Sequence, residues 1–566
     1  MKNKKKLLIA IFINLIVFGI INIIFNIKYE QVDDFIIYNL YSGLDGTYNI
    51  HGVYMHPVIC FILSLFFRVA PIINWHSIFL LSIQFICFTS IGYIILKKHN
   101  NGMAIILYVV CDSIFYSTLL MLIQYTSVAA LAILTSFILL INMIEEKENR
   151  NIKYKLFIFI LFTIGVMIRT QALLIVAPFM GVYFLVYLLR YIKNRNEKDE
   201  IKMLIKYYLI IFFISLVIYI SNLVIYNANP VYKEYMEYNN IRTMLHDISQ
   251  VDYEENKEIF DEIGWSKNDH YMFYTFNFGD ENIYSKENLE KILNYKIQKD
   301  GKYNINTDLE TLKDSLISEQ TESIPIIFVI FVVVFIISLL NKNIKTLNLL
   351  VFFTTIGIHL IFIAMGRSVF RVMIPEYILG TFLILSNLEF KNEKSIDDGI
   401  KNSIITVLII IILSSTSGAL YKFNYKLGDY QSTKDIIEYT NNNKQNVYLY
   451  TVPSLQFRYL AYNVYQMPPL HAFSNLRVMG GWDMYTQNYI DFKNRYNLQG
   501  TLLDLLNENV YLIDGKVVWS GREYDNYKQN VLYAIKEHYN IDVECKEIKQ
   551  FDNLKIYKLY VANEAK

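Results

Sequence analysis

Long unbroken runs of apolar residues, not apolar residues at helical or strand spacing, limit what this chain can fold into. About 18 or more apolar residues in a row can cross a hydrocarbon core of roughly 30 Å as a helix. Runs of this kind lie near residues 7–27, 77–96, 102–119, 122–143, 155–169, 171–192, 204–226, 323–341, 346–365, 372–388 and 402–420. The fifth is short and is expected to form a hairpin with the sixth around Arg169. The expected fold is therefore mainly α, a polytopic membrane protein of about eleven transmembrane helices. Composition agrees, with 54% hydrophobic and 19% charged residues over 566 positions. The first run follows Lys2-Asn3-Lys4-Lys5-Lys6 and is too long for a signal peptide, so it reads as an anchor.

Short-loop charges set the expected orientation. With the N-terminus in the cytoplasm, the inner loops hold Lys2, Lys4, Lys5, Lys6, Lys97, Lys98, Lys147, Arg150, Lys153, Lys155, a cluster from Arg190 to Lys206, Lys342, Lys345, Lys391, Lys394 and Lys401. The short outer segments hold only Lys28, Arg68, Arg169, Arg367 and Arg371, as the positive-inside rule requires. The expected location is the cell membrane, with 1–420 as the membrane domain and 421–566 outside. Outer loops cover 28–76 and 227–322, the second with 20 acidic against 10 basic residues. In the first, the apolar stretch 57–67 is too short to span and suits an interfacial or re-entrant helix. In the second, 287–298 reads as a helix with Ser285 as N-cap. Residues 421–566 alternate helix and strand signals, including a tight turn at Asp514-Gly515, as in a layered α/β unit.

The net charge of +1 gives no sign of a nucleic-acid partner. The four cysteines build no disulfide framework, and Cys545 is alone in the C-terminal region. There is no phosphate-cradling glycine loop, zinc spacing or Gly-x-Ser-x-Gly elbow. What remains is a set of polar residues at the outer boundary. Val32-Asp33-Asp34-Phe35 puts two carboxylates just past the first span. The pair suits either a solvated helix end or a general base whose pKa desolvation raises. Arg367 and Arg371 are four apart, on one helical face, and arginine presents a planar fork suited to phosphate; the alternative is a snorkelling interfacial pair. Arg169 and Asp112 lie within apolar segments, where a charge is costly without a cavity or a partner. His56 before Pro57 and His359 within a span suit hydrogen-bonded packing as well as function. Gly480-Gly481-Trp482-Asp483 reads as a turn, or as an aromatic–acid surface for a sugar.

Taken in order along the chain, these segments resemble the membrane glycosyltransferases of the GT-C superfamily, in particular a bacterial branch related to the polyprenyl-phosphate-sugar-dependent mannosyltransferases. The resemblance covers most of the chain. It is carried by Val32-Asp33-Asp34, Ser42-Gly43-Leu44-Asp45-Gly46, Met55-His56-Pro57, Asn74-Trp75, Gly264-Trp265-Ser266-Lys267-Asn268-Asp269, Gly366-Arg367 with Arg371 and Pro375, and Met479-Gly480-Gly481-Trp482-Asp483. The chain departs from the pattern at Asp34, where glutamate is usual, and at His56-Pro57-Val58, where His-Pro-Pro is usual.

The resemblance implies transfer of a sugar from a polyprenyl-phosphate donor to an extracytoplasmic glycan or glycolipid of the cell envelope. Asp33 would be the catalytic base, with Asp34 assisting. Arg367, Arg371 and Arg169 would hold the lipid phosphate, and His56, Trp265, Trp482 and Asp483 would be candidates for the acceptor or sugar. Phosphate is already a stabilised leaving group, so neither metal nor cofactor is expected. The alternatives are a flippase or transporter of lipid-linked saccharides, a polysaccharide polymerase or ligase, and a non-catalytic scaffold.

Overall fold

The computed structural model describes residues 2–25, 27–98, 102–146, 151–193, 198–248, 250–300, 313, 325–340, 346–365, 369–388, 430–452, 454–515, 517–519, 522–524 and 527–562. Its first part is helical: α1 (Lys2–Ile24), α2 (Val32–Ser42), α3 (Pro57–Val69), α4 (Trp75–Lys98), α5 (Gly102–Met121), α6 (Tyr125–Glu145), α7 (Ile152–Ile168), α8 (Leu173–Lys193) and α9 (Lys198–Ala228). Helices α10 (Pro230–Thr243), α11 (Lys257–Ile263), α12 (Lys267–Tyr274) and α13 (Lys286–Asp300) form the segment after α9. Three more apolar helices come next, α14 (Pro325–Leu340), α15 (Thr346–Ala364) and α16 (Phe370–Asn387).

Among the described residues, six helices are long and apolar enough to cross a membrane. They lie at Asn3–Ile24, Trp75–Lys98, Tyr125–Glu145, Thr170–Lys193, Lys198–Ala228 and Thr346–Ala364. The expected eleven are not reached. Helices occupy the other expected segments up to residue 388, but Ile105–Met121 and Ile326–Leu339 count only as shorter apolar helices. The expected span at 402–420 lies outside the described residues. In α6 every residue from Tyr125 to Ile144 is buried, so it forms the centre of the helical layer. The flanks of α1 and α9 instead leave Phe12, Ile16, Ile20, Phe212, Phe213 and Val217 exposed. Bare apolar surface of that kind suits lipid, not water. The short stretch expected at 57–67 is α3, capped by His56 and led by Pro57.

The C-terminal part holds a five-stranded sheet in the order β4-β3-β5-β9-β8. Here β3 (Val447–Tyr450), β4 (Leu476–Val478) and β5 (Val510–Gly515) are parallel. The hairpin of β8 (Val543–Phe551) and β9 (Leu554–Val561) adds antiparallel to β5. Helices α17 (Gln431–Asn442), α18 (Gln487–Tyr496) and α19 (Lys528–Tyr539) pack around it. One expectation fails locally. Asp514-Gly515 is not a tight turn but the end of β5, because the buried Asp514 carboxylate accepts from Thr451 Oγ1 at 2.6 Å and from the Lys528 amide at 2.7 Å. Strands β6 (Val517–Trp519) and β7 (Arg522–Tyr524) then pair with each other as a separate ribbon.

Two sets of contacts hold the C-terminal part against the helices. The segment α10–α13 shares one apolar core with the sheet, joining Tyr238, Phe260, Trp265 and Phe273 to Val447, Phe492, Leu505 and Val531. The C-terminal part also docks on the turn after α2. Phe473 N–H donates to Leu44 O at 2.9 Å, and Asn488 Nδ2 donates to Asp45 Oδ2 at 2.6 Å. That turn needs Gly43, whose φ is 83° and whose place a Cβ would take within 2.5 Å of the Tyr48 ring.

Candidate functional site

The site begins with a two-residue parallel bridge. β1 (Lys28–Tyr29) pairs with β2 (Leu122–Ile123), and the Glu30 amide extends the pairing to Ile123 O at 2.9 Å. The first turn of α2 is thereby held against the first turn of α6. Successive residues of a helix point about 100° apart, so the adjacent carboxylates of Asp33 and Asp34 cannot face the same way.

Asp34 turns inward and is fully buried. It accepts from the Tyr125 amide at 3.2 Å and lies 3.0 Å from His76 Nε2, while His76 Nδ1 is 2.6 Å from the Tyr41 hydroxyl. Burial, reinforced by the neighbouring Asp33, pushes its carboxyl well above the usual carboxylate range. The residue expected to assist the base is thus a brace joining α2, α4 and α6.

Asp33 turns outward. Its Oδ1 accepts from the Trp482 indole at 3.2 Å, and its Oδ2 is 3.8 Å from Arg371 Nη1. Its side chain is 19% exposed, so it is sheltered but reachable. Arg371 sits in the first turn of α16, donates to the Gln31 side chain, and accepts from Ser127 Oγ on its carbonyl at 3.2 Å. Arg169 is the extended residue between α7 and α8, with φ −156°. Its guanidinium donates to the Tyr125 hydroxyl and lies 5.2 Å from the Tyr54 ring centre and 5.1 Å from that of Tyr125. Tyr54 meets Trp482 edge-on at 4.9 Å, closing an aromatic wall between Arg169 and Asp33.

The roof comes from two distant segments. The Tyr235 hydroxyl of α10 donates to Trp482 O at 2.8 Å, and Gly480, with φ 129°, lets the loop pass against the backbone of Phe276 and Phe278. Arg242 of α10 is buried and donates to Asn239 Oδ1 and Thr243 Oγ1, both neutral groups. Glu30 adjoins the cluster, and burial raises its pKa to about 7 against the pull of Arg371. A guanidinium beside an accessible carboxylate, with a second at the far end of the Tyr54 wall, can receive an anion, and the carboxylate can receive a proton.

The structure does not bring every expected residue here. Arg367 lies outside the described residues. His56 is spent on capping: its Nδ1 accepts from the Val58 amide at 3.3 Å, and its Nε2 is 3.0 Å from Ser221 Oγ. Trp265 is a core residue whose indole donates to Ile283 O at 2.8 Å. Asp483 is paired with Arg477 at 2.9 Å. Asp112 is buried in α5, and His359 is 2.5 Å from Glu376 between α15 and α16. Tyr54, Gln31, Glu30 and Arg242 were not expected in the cluster. Nothing in their local sequence marks them, because 46 tyrosines hide Tyr54 and the acidic loop hides Arg242. Among the described residues, the one grouping with metal-ligand spacing is Asp269, Glu537 and His538, which shares no member with this cluster.

No family model matches the chain, and no curated protein matches it significantly.

Proposed function

We propose that the protein is a membrane glycosyltransferase that moves a sugar from a polyprenyl-phosphate donor to a hydroxyl of a cell-envelope glycan or glycolipid outside the cytoplasm. The observation that carries this reading is the Asp33 carboxylate, 3.8 Å from Arg371, on an aromatic wall that ends at Arg169. In the proposed step Asp33 takes the proton of the acceptor hydroxyl while the acceptor oxygen bonds to the anomeric carbon. The bond from that carbon to the phosphate oxygen breaks, and the electron pair leaves with the polyprenyl phosphate. Arg371 and Arg169 stabilise that anion, with Arg367 as a further candidate. Asp33 is then restored when it releases its proton to solvent. The residues supply base and anion cradle, and the step uses no metal or cofactor.

In this reading eleven spans hold 1–420 in the cell membrane with the N-terminus in the cytoplasm. The loop 227–322 and the domain 421–566 lie outside, where the roof over Asp33 meets the acceptor. Trp482 aims the Asp33 carboxylate, and its contact with Tyr54 offers ring surface to the sugar. The deciding experiment is transfer of radiolabelled sugar from polyprenyl phosphate in proteoliposomes, with wild type, Asp33→Asn and Arg371→Ala. Transfer is expected to fall by about 100-fold or more in Asp33→Asn and to need roughly 10- to 150-fold more donor in Arg371→Ala. Full transfer by both variants sinks the reading. A cytoplasm-only reporter fused after Lys566 is expected to stay silent, and activity from it would reverse the orientation.

A further inference from the structure

A second cluster lies where α12, in the segment after α9, meets α19 of the C-terminal part. The interface is polar. Asn268 and Asn530 exchange hydrogen bonds of 3.0 and 2.6 Å, and the Tyr271 and Tyr527 rings stack at 5.5 Å. At its end Asp269 is fully buried. Its Oδ2 is heavily used, accepting from the Ser266 amide at 2.9 Å and from His538 Nε2 at 2.8 Å. Among the described residues its Oδ1 is buried with no hydrogen-bond partner.

A buried carboxylate oxygen left unpaired is costly, because it has given up water without a replacement partner. A cation would satisfy it. Asp269, Glu537 and His538 each offer a ligand atom, and the three atoms lie within 4.8 Å of one another. Bonds of about 2.0–2.2 Å from zinc to nitrogen and oxygen put tetrahedral ligand atoms roughly 3–3.5 Å apart, so the side chains would draw together around the ion.

We infer that Asp269, Glu537 and His538 bind a divalent transition-metal ion, Zn2+ foremost, which joins α12 to α19. One imidazole and two carboxylates suit Zn2+ and Co2+ better than Ca2+, which prefers an all-oxygen shell of six to eight ligands. The ion would be structural. It would fasten the roof-bearing segment to the sheet, and it takes no part in the transfer chemistry. The assignment does not depend on the glycosyltransferase reading.

The test uses full-length protein in detergent, stripped with a chelator and titrated with Zn2+ by calorimetry, with Co2+ as a spectroscopic probe. One ion per chain is expected, with visible Co2+ absorption and a Zn2+-dependent rise in melting temperature. Glu537→Gln leaves the fold intact, because Glu537 is exposed. Glu537→Gln and His538→Gln should each weaken binding roughly tenfold or more, and His538→Gln should abolish the thermal shift. Absence of stoichiometric binding overturns the inference, as does unchanged affinity in both variants. Preference for Ca2+ over Zn2+ and Co2+ overturns the transition-metal assignment.

Discussion

Replacing Asp33 by asparagine separates the two roles assigned to the cluster, because it should lower turnover without lowering donor affinity. Asparagine keeps an Oδ1 to accept the Trp482 indole hydrogen bond at 3.2 Å, so the side chain stays in place. What disappears is the negative charge 3.8 Å from Arg371. At that distance and an effective dielectric of about 20, the gross attraction is about 4 kcal/mol. The net coupling is smaller, because both side chains keep about one-fifth of their surface in solvent, 22% and 19%. In the wild type this charge also repels the donor phosphate. Its removal should leave donor affinity unchanged or raise it several-fold. Turnover should fall by about 100-fold or more, which is about 2.7 kcal/mol of barrier, because no group remains to take the hydroxyl proton. Radiolabelled transfer in proteoliposomes gives kcat, and equilibrium binding of the labelled donor gives Kd. Full turnover in Asp33→Asn refutes the assignment of the base. A large loss of donor affinity with turnover intact shows that Asp33 merely props Arg371.

Arg371→Ala should weaken donor binding by roughly 10- to 150-fold, the equivalent of about 1.5–3 kcal/mol for a charged hydrogen bond; Arg371→Lys should recover only part, since it keeps charge and loses the fork. Asp34→Ala should lower the melting temperature, because it orphans the buried Tyr125 amide and His76 at about 1–3 kcal/mol each; an unchanged melting curve speaks against the brace. Glu30 gives a pH signature: between its ordinary value of 4.5 and about 7 the folded protein keeps a proton that the unfolded chain has lost. Stability should therefore fall as pH rises through that window, and donor binding should fall with it as ionised Glu30 competes for Arg371. Glu30→Gln should flatten both profiles, and an unaltered pH slope in that variant counts against the role given to Glu30.

Which of these features the sequence discloses depends on how local their cause is. Helix positions are legible because a long apolar run carries its own reason to be helical in lipid, and among the described residues six of those helices are long and apolar enough to cross a membrane. The break at Arg169 is legible for the same reason, since a charge between two apolar half-segments marks where a helix ends. The acid pair is visible, but the inward turn of Asp34 is not. That depends on Lys28–Tyr29 pairing with Leu122–Ile123, almost a hundred residues away. Trp265 and Trp482 sit in similar Gly-Trp contexts and look alike as candidates. Their fates differ because one indole meets a core carbonyl and the other meets Asp33, 449 positions distant. Asp514-Gly515 has turn chemistry, but the buried bond from Thr451 keeps it in the strand.

Two adjacent acids on one helix turn place one inside and one outside by geometry alone, and that division explains why both are there. A carboxylate that is to accept a proton must keep some solvent access and a fixed direction. Those demands conflict when one side chain has to anchor the helix as well. Here Asp34 anchors, tied to Tyr125 and His76, so Asp33 is free to face the Trp482 indole and the Arg371 guanidinium. The arginines divide in the same manner. Arg169 is fixed by Tyr125 and the Tyr54 ring, while Arg371 shares its charge with Gln31 and Asp33. An arriving phosphate would therefore draw on Arg371 first, and in doing so would loosen its hold on the carboxylate that must take the proton. The coupling predicts that in Arg371→Lys the deficit in kcat exceeds what the loss of donor affinity explains. Equal losses at saturating and limiting donor would show that the two residues act independently.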